Sequence, residues 1–173
     1  MLAAVFDVDG TLLDVSERVK KCYAESGGSD GAFWGCFLSG RYLDLDKPNL
    51  EVVEHARRLK SSGVRIVVVT GRWETLRERT LSQLAEAGVE PDEVYFRPAG
   101  DSRPHHVYKA ETVLKLLERG YRLLEVWDDS ESVVRELSRA LPPSVVIVHY
   151  KRGLQPEARR VLHEARPVHL QTA

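Results

Sequence analysis

Amides and sulfur are what this chain has least of: one Asn, three Gln, one Met and two Cys stand beside 18 Arg in 173 residues. Scarcity of thermolabile side chains is a feature of proteins from hot environments, and a GC-rich coding sequence leaves the same bias. Neither sign of charge predominates. The formal net charge is −1, which provides no global field to gather a polyanion, although the last 23 residues hold five Lys/Arg against two Glu. No apolar run approaches the roughly 20 residues that cross a bilayer. Met1 leads into a short apolar stretch with no charged leader or cleavage signature, so a cytoplasmic protein without membrane contact is expected. Cys22 and Cys36 have no partners at zinc-like spacing, and in a cytosolic chain such thiols stay reduced, so both are read as ordinary thiols. What is present in quantity is apolar surface, 43% of residues, enough for the core of a single domain over residues 1–173.

Short, Val-rich, non-alternating apolar runs occur at Leu2–Val8, Val64–Val69, Val94–Phe96, Leu123–Trp127 and Val145–Val148, as expected for strands covered on both faces. Between them lie helical faces: Leu50, Val53, Ala56, Leu59; then Leu81, Leu84, Ala85; then Val113, Leu114, Leu117; then Val133, Val134, Leu137, Leu141. The first three end at Gly63, Gly88 and Gly120 and the last at Pro142–Pro143. This alternation predicts an α/β fold, a three-layer, Rossmann-like arrangement on a parallel five-stranded sheet. Two segments depart from it. Residues 14–46 form a small cap insertion with five glycines between Gly27 and Gly40 and aromatics at Phe33, Trp34, Phe37 and Tyr42, long enough for at most a helix and a flap. Residues 151–173 carry Pro156 at a first helical position and Ala158, Val161, Leu162 and Ala165 on one face, predicting a helix docked at a sheet edge.

In such a sheet the ligand crevice lies outside the C-terminal strand ends, where strand order reverses. There the sequence places Asp7 and Asp9, Thr70-Gly71-Arg72, Arg97, and Asp128-Asp129. Asp7 and Asp9, two residues apart at a strand exit, point the same way and can share one reacting atom. Gly10 lets the backbone turn sharply behind them. Four neighbouring carboxylates repel one another, so positive charge must compensate, and a hard divalent cation such as Mg²⁺ fits while leaving a face for a phosphate oxygen. Lys109 opens the helix predicted at Val107–Arg119, where the macrodipole disfavours a cation unless an anion lies between them. Plainer readings stand beside these: a solvated Lys109, a helix cap at Asp128, Asp129 or Ser130, and an ordinary turn at Thr70-Gly71.

The stretches VFDVDGTLL, VVVTGR, the later Lys109 and VWDDS resemble, in order, the four motifs of the haloacid dehalogenase (HAD) superfamily of phosphotransferases, over roughly residues 3–150. The resemblance implies that Asp7 is a nucleophile forming an aspartyl-phosphate and that Asp9 is a general acid/base. Thr70 and Lys109 would hold the transferring phosphoryl group. Asp7, the main-chain carbonyl of Asp9, Asp128 and Asp129 would bind Mg²⁺. Dehalogenases of the superfamily lack the second aspartate, so its presence points to phosphorus chemistry.

Within the superfamily, the short aromatic-containing insertion, YLDLDKPN, VVVTGR and YFR before the lysine resemble the phosphatase module of polynucleotide kinase. That implies a phosphorylated substrate, a nucleic-acid 3′ end or a nucleotide, while the near-neutral charge argues against strong polymer affinity. A small phosphorylated metabolite, or phosphate binding without turnover, are the alternatives. Gly71, Arg72, Arg97 and Arg103 are expected at the substrate, with His105 and His106, because each follows a strand exit; solvated loop arginines are the plainer reading of Arg97 and Arg103. Trp34 and Trp73 could stack on a base or simply pack.

Overall fold

The computed structural model describes residues 1–151, so the helix expected beyond Lys151 lies outside the described residues. In chain order the elements are β1 (Leu2–Phe6), β2 (Leu13–Asp14), α1 (Ser16–Ser26), α2 (Asp30–Leu38), β3 (Lys47–Pro48), α3 (Leu50–Ser61), β4 (Arg65–Trp73), α4 (Arg77–Glu86), β5 (Glu93–Arg97), α5 (His105–Glu118), β6 (Arg122–Asp128), α6 (Glu131–Ala140) and β7 (Val146–His149). The main sheet has five parallel strands in the order β5-β4-β1-β6-β7. The chain fills one side of β1 and then crosses to the other, which puts the reversal of strand order at the end of β1.

Alternation along β1 divides the core into two layers. Ala3 and Val5 join Val67, Val69 and Val126 against α5 and α6 through Val113, Leu116, Val133 and Leu137. Ala4 and Phe6 join Ile66 and Val68 against α3 and α4 through Val52, Val53, Ala56 and Leu84. Both faces of the central strands β1 and β4 are therefore dry, which is why their sequences run apolar without alternating. Val126 faces α5, so two residues on Asp128 leaves the sheet on the same side, as Asp7 does two residues beyond Val5. Both carboxylates thus emerge beside α5.

The insertion differs from expectation in two respects. It holds two helices, α1 and α2, rather than one, on a neck in which Leu13 and Asp14 of β2 pair antiparallel with Pro48 and Lys47 of β3. Gly31 and Gly35 lie inside α2 despite their low helix propensity. Packing outweighs that cost: Phe37 is buried with Cys22 and Cys36, and Val15, Val19, Phe33, Leu38 and Tyr42 close around them. The cysteines are also not free thiols. Cys22 and Cys36 form a disulfide, their Cα atoms 5.5 Å apart. The α1–α2 hairpin, turning at Gly27-Gly28, brings the two inward faces together, a proximity invisible in the spacing of the cysteines.

Candidate active site

The turn after β1 brings its two carboxylates into different surroundings. Gly10 has φ +80°, and a Cβ there would lie 2.2 Å from Asp129 Oδ2. The glycine thus serves both the left-handed turn and the close approach of Asp129. Asp7, buried, faces α5: Lys109 Nζ donates to Asp7 Oδ1 at 2.6 Å and to Asp128 Oδ2 at 2.8 Å. Asp7, Asp128 and Asp129 each present an oxygen within 4.8 Å of the others'. One lysine faces three carboxylates, and the imbalance is felt. Burial raises the Asp7 carboxyl well above its ordinary range; Lys109 pulls it back, and Asp128 and Asp129 push it further up. Desolvation, then the charge of Asp128, pushes Asp129 up to about 6, although its side chain opens to the cavity. Burial would lower Lys109, but Asp128 and Asp7 outweigh it and keep the ammonium protonated.

Asp9 turns the other way, into two arginines. Arg72 Nε reaches Asp9 Oδ1 and Oδ2 at 3.1 and 3.2 Å and Arg72 Nη2 reaches Oδ1 at 2.7 Å, while Arg18 Nη2 donates to the same carboxylate. Burial alone would raise Asp9, but the two guanidiniums outweigh it and hold the carboxyl well below the ordinary range. Asp46 accepts from the same two arginines, Arg18 Nε at 3.1 Å and Arg72 Nη2 at 3.0 Å. Arg18 also donates to the Phe37 carbonyl and lies over the Phe37 ring, and Arg72 Nη1 donates to Thr80 and Gln83 of α4.

Above these groups is a cavity of about 580 Å³. Asp7, Asp9, Lys109 and Asp129 line its base, and Val15, Val19, Phe33, Trp34, Phe37 and Leu38 of the insertion form an apolar wall. Gly71, Arg97 and His105 face that wall, with Ser130 and Ser132 at the edge. Gly71 lies against the His105 imidazole, where an added Cβ would come within 2.6 Å of Cδ2. Burial first, then Lys109, pushes His105 down to about 4, so it faces the cavity neutral at pH 7. Three carboxylates converging on one point in a cavity with a fixed ammonium suit a divalent cation and an anionic oxygen group.

A model of the HAD superfamily, subfamily IIIB (acid phosphatase), matches residues 1–139. The chain belongs to this family. Vegetative storage protein 1 of Arabidopsis thaliana is 28% identical over 122 residues, 69% of this chain and 44% of that protein. The solved Pnkp1/Rnl/Hen1 complex contains a chain 26% identical at a TM-score of 0.66, over 87% of this chain and 46% of its own. A class C acid phosphatase from Bacillus anthracis, solved with tungstate bound, shares the fold at a TM-score of 0.59 and 13% identity, over 94% of this chain and 78% of its own. The chain thus spans under half the length of the curated relative and of the Pnkp1-complex chain.

Of the residues singled out from sequence, this HAD-family chain brings Asp7, Asp9, Lys109, Asp129, Gly71 and Arg97 to one cavity, with Asp128 directly beneath. Thr70 is buried, its hydroxyl accepting the Arg72 amide at 3.1 Å. Asp128 serves two purposes: Oδ1 accepts the Ser130 amide at 2.9 Å as a turn residue would, and Oδ2 takes Lys109. Helix α5 starts at His105, so Lys109 sits in its second turn rather than its first.

Two arginines are placed differently from expectation. Arg72 does not stand at the mouth; with 1% of its side chain exposed, it lies behind Asp9 and holds it. Arg103 turns from the cavity to Asp101 and Glu111. In both cases a fixed carboxylate within reach captured the guanidinium fork. Arg97 does line the cavity and lies over the Trp73 ring, 4.9 Å from its centroid. Arg18 and Asp46 were not singled out from sequence. Arg18, on the helical face of Val15, Val19 and Cys22, is the charge that interrupts an otherwise apolar stripe, and that interruption was the available signal.

Proposed function

We propose that the chain is a Mg²⁺-dependent phosphomonoesterase that works through an aspartyl-phosphate on Asp7. The observation that carries this is the under-neutralised cluster of Asp7, Asp128 and Asp129, with one lysine among them and a cavity above. The donors are all hard oxygens and carry excess negative charge, which fits Mg²⁺. Asp7, Asp128, Asp129 and the Asp9 carbonyl would hold it. When bound, Mg²⁺ supplies positive charge against the phosphoryl oxygens.

Asp7 attacks phosphorus and the bond to the leaving oxygen breaks, while the Asp9 carboxyl gives that oxygen its proton. Asp9 then takes a proton from water, whose oxygen attacks phosphorus; Asp7 is released and inorganic phosphate forms. Lys109 faces the charge on the transferring group, and the backbone at Thr70-Gly71 offers amides beside it. Asp9 waits ionised between its arginines, so it must be protonated on substrate binding, and the approach of a phosphate dianion favours that.

For substrate, we read a nucleotide or a phosphorylated 3′ end of nucleic acid. The Phe33, Trp34 and Phe37 wall offers rings on which a base can stack. Opposite it, Arg97 lines the cavity, its Nη2 donating to the Asp101 and Arg103 carbonyls. The RNA repair complex that contains a related chain supports the same direction. A small phosphorylated metabolite is the second reading, favoured by the match to an acid phosphatase family. A cytoplasmic location accords with the Cys22–Cys36 disulfide where intracellular proteins are disulfide-rich, as in hyperthermophiles, and the scarcity of Asn, Gln and Met suits that setting. No helix among the described residues is long and apolar enough to cross a membrane.

The test is a Mg²⁺ and EDTA comparison against nucleotides, a 3′-phosphorylated oligonucleotide, sugar phosphates and phosphopeptides, with mass spectrometry for phosphate on Asp7. Full turnover in EDTA, or turnover unaffected in Asp7→Asn, would refute the proposal.

A further inference from the structure

Asp46, within the YLDLDKPN stretch, lies outside the four superfamily motifs, yet it is among the most enclosed charges of the described residues, with 1% of its side chain exposed. It lies just before β3, where the insertion returns to the body. Its Oδ1 accepts from Arg18 on α1 and its Oδ2 from Arg72 on β4. Both guanidiniums also donate to Asp9, Arg72 through the same Nη2. The result is an alternating set of two aspartates and two arginines, in which Asp9 faces the cavity and Asp46 does not line it. Burying four charges is poor economy for stability alone, since well-packed apolar side chains do as well or better.

We infer that Asp46 is a positioning residue for the acid–base step: by sharing Arg18 and Arg72 with Asp9, it sets where the Asp9 carboxylate points. The inference rests on the reading of Asp9 as the acid and base. Without Asp46, two buried guanidiniums share a single anion. Arg18 Nε loses its acceptor, and Arg72 Nη2, which donates to both carboxylates, keeps only Asp9. Asp9 is then drawn back between the forks, away from the leaving oxygen that it must approach within about 3 Å to deliver a proton. Asp46 itself forms no bond to substrate and exchanges no proton. The same set ties α1 of the insertion to β4 and α4 of the body through Arg18 and Arg72, so the aim of Asp9 depends on the insertion being seated.

The experiment compares Asp46→Asn and Asp9→Asn on an aryl phosphate, whose leaving group needs little protonation, and an alkyl phosphate, whose leaving group needs it fully. For Asp46→Asn we expect kcat on the alkyl phosphate to fall about tenfold or more, kcat on the aryl phosphate to fall less than about threefold, and KM to stay unchanged for both. Placed in the Asp9→Asn background, Asp46→Asn should leave the alkyl-to-aryl ratio as it is, because the carboxyl it aims is gone. If Asp9→Asn alone shows no bias toward the aryl substrate, the acid–base reading fails and takes this inference with it. If Asp9→Asn shows the bias but Asp46→Asn lowers both substrates equally, or changes the ratio again in the double variant, Asp46 is only structural and the inference is overturned. Asp46→Ser, which leaves room for water between the arginines, carries the same comparison if the amide does not fold. Failure of both to fold where the parent protein is folded would make Asp46 a folding residue and likewise overturn it.

Discussion

Asp7 and Asp9 leave the same strand two residues apart and enter opposite electrostatic worlds. Around Asp7, Asp128 and Asp129 there is one lysine, and the carboxyls are pushed up. Around Asp9 and Asp46 there are two arginines, each bonded to both carboxylates; Asp9 is held down, while burial pushes Asp46 up to about 6. The first region is short of positive charge; in the second the charges are matched two to two, with Asp9 at the cavity and Asp46 enclosed. A deficit of charge that the fold could have filled, and filled a few ångströms away, marks the place where a ligand is meant to supply it. The comparison also separates two otherwise identical side chains: both reach the cavity, but Asp7 is crowded by like charge and Asp9 is clamped in a fixed direction.

The largest effect should come from Asp7. Asp7→Asn keeps the shape but removes the nucleophile, and turnover should fall by a factor of at least about 10³ with the fold intact by circular dichroism. Because it also relieves crowding, the metal-free variant should melt no lower than the parent. A large drop in melting temperature would contradict the charge deficit.

Next is the pH dependence of stability without metal. Carboxyls whose pKa is raised on folding favour the fold when protonated. In EDTA, stability should therefore fall as pH rises from about 4 through the raised values of Asp129 and Asp7. Asp9, held low, contributes in the opposite sense: its stabilisation is complete above about 4 and is lost only below it. Mg²⁺ should flatten the slope at neutral pH, since it binds the ionised cluster. Melting curves with Mg²⁺ and with EDTA, from pH 4 to 8, measure this. Coincident curves would remove the case for a cation at Asp7, Asp128 and Asp129.

Reduction of the disulfide probes the balanced region through its scaffold, because α1 carries Arg18. With Cys22 and Cys36 14 positions apart, the chain-entropy argument gives a loss of about 3 kcal/mol, read as a lower melting temperature in dithiothreitol. The Mg²⁺-dependent shift in melting should survive reduction, since no metal-cluster residue lies in the insertion.

The smallest effect concerns reach. Arg97→Ala should raise KM for a 3′-phosphorylated oligonucleotide about tenfold and leave an aryl phosphate nearly unchanged. The oligonucleotide's KM should also climb with salt in the parent and less so in the variant. Arg103→Ala, with its guanidinium committed to Asp101 and Glu111, should change neither. Equal responses of the two substrates would favour the small-metabolite reading.

Much of this was legible in the chain. Apolar runs without alternation marked the strands, and carboxylates and a hydroxyl at their exits marked the crevice, because a parallel sheet concentrates polar groups at one edge. Asp7, Asp128 and Lys109 meet as the order of elements implied, since Val5 and Val126 already set which face each strand turns to α5. The directions of Arg72 and Arg103 were not legible. A long flexible guanidinium follows the carboxylate it finds, and Asp9, Asp46, Asp101 and Glu111 come within reach only once the turns are formed.

By itself, then, the sequence determined the layers, the strand exits and the deficit of positive charge around Asp7, because these follow from periodicity and from residue type at fixed offsets. Tertiary structure alone decided that Cys22 meets Cys36, that residues 14–46 fold as a helical pair over the crevice, and that Asp46 joins Arg18 and Arg72 behind Asp9. Each of those outcomes needs two segments distant along the chain to be brought together by burial of apolar surface, and burial sums over the whole fold, so no local pattern records it.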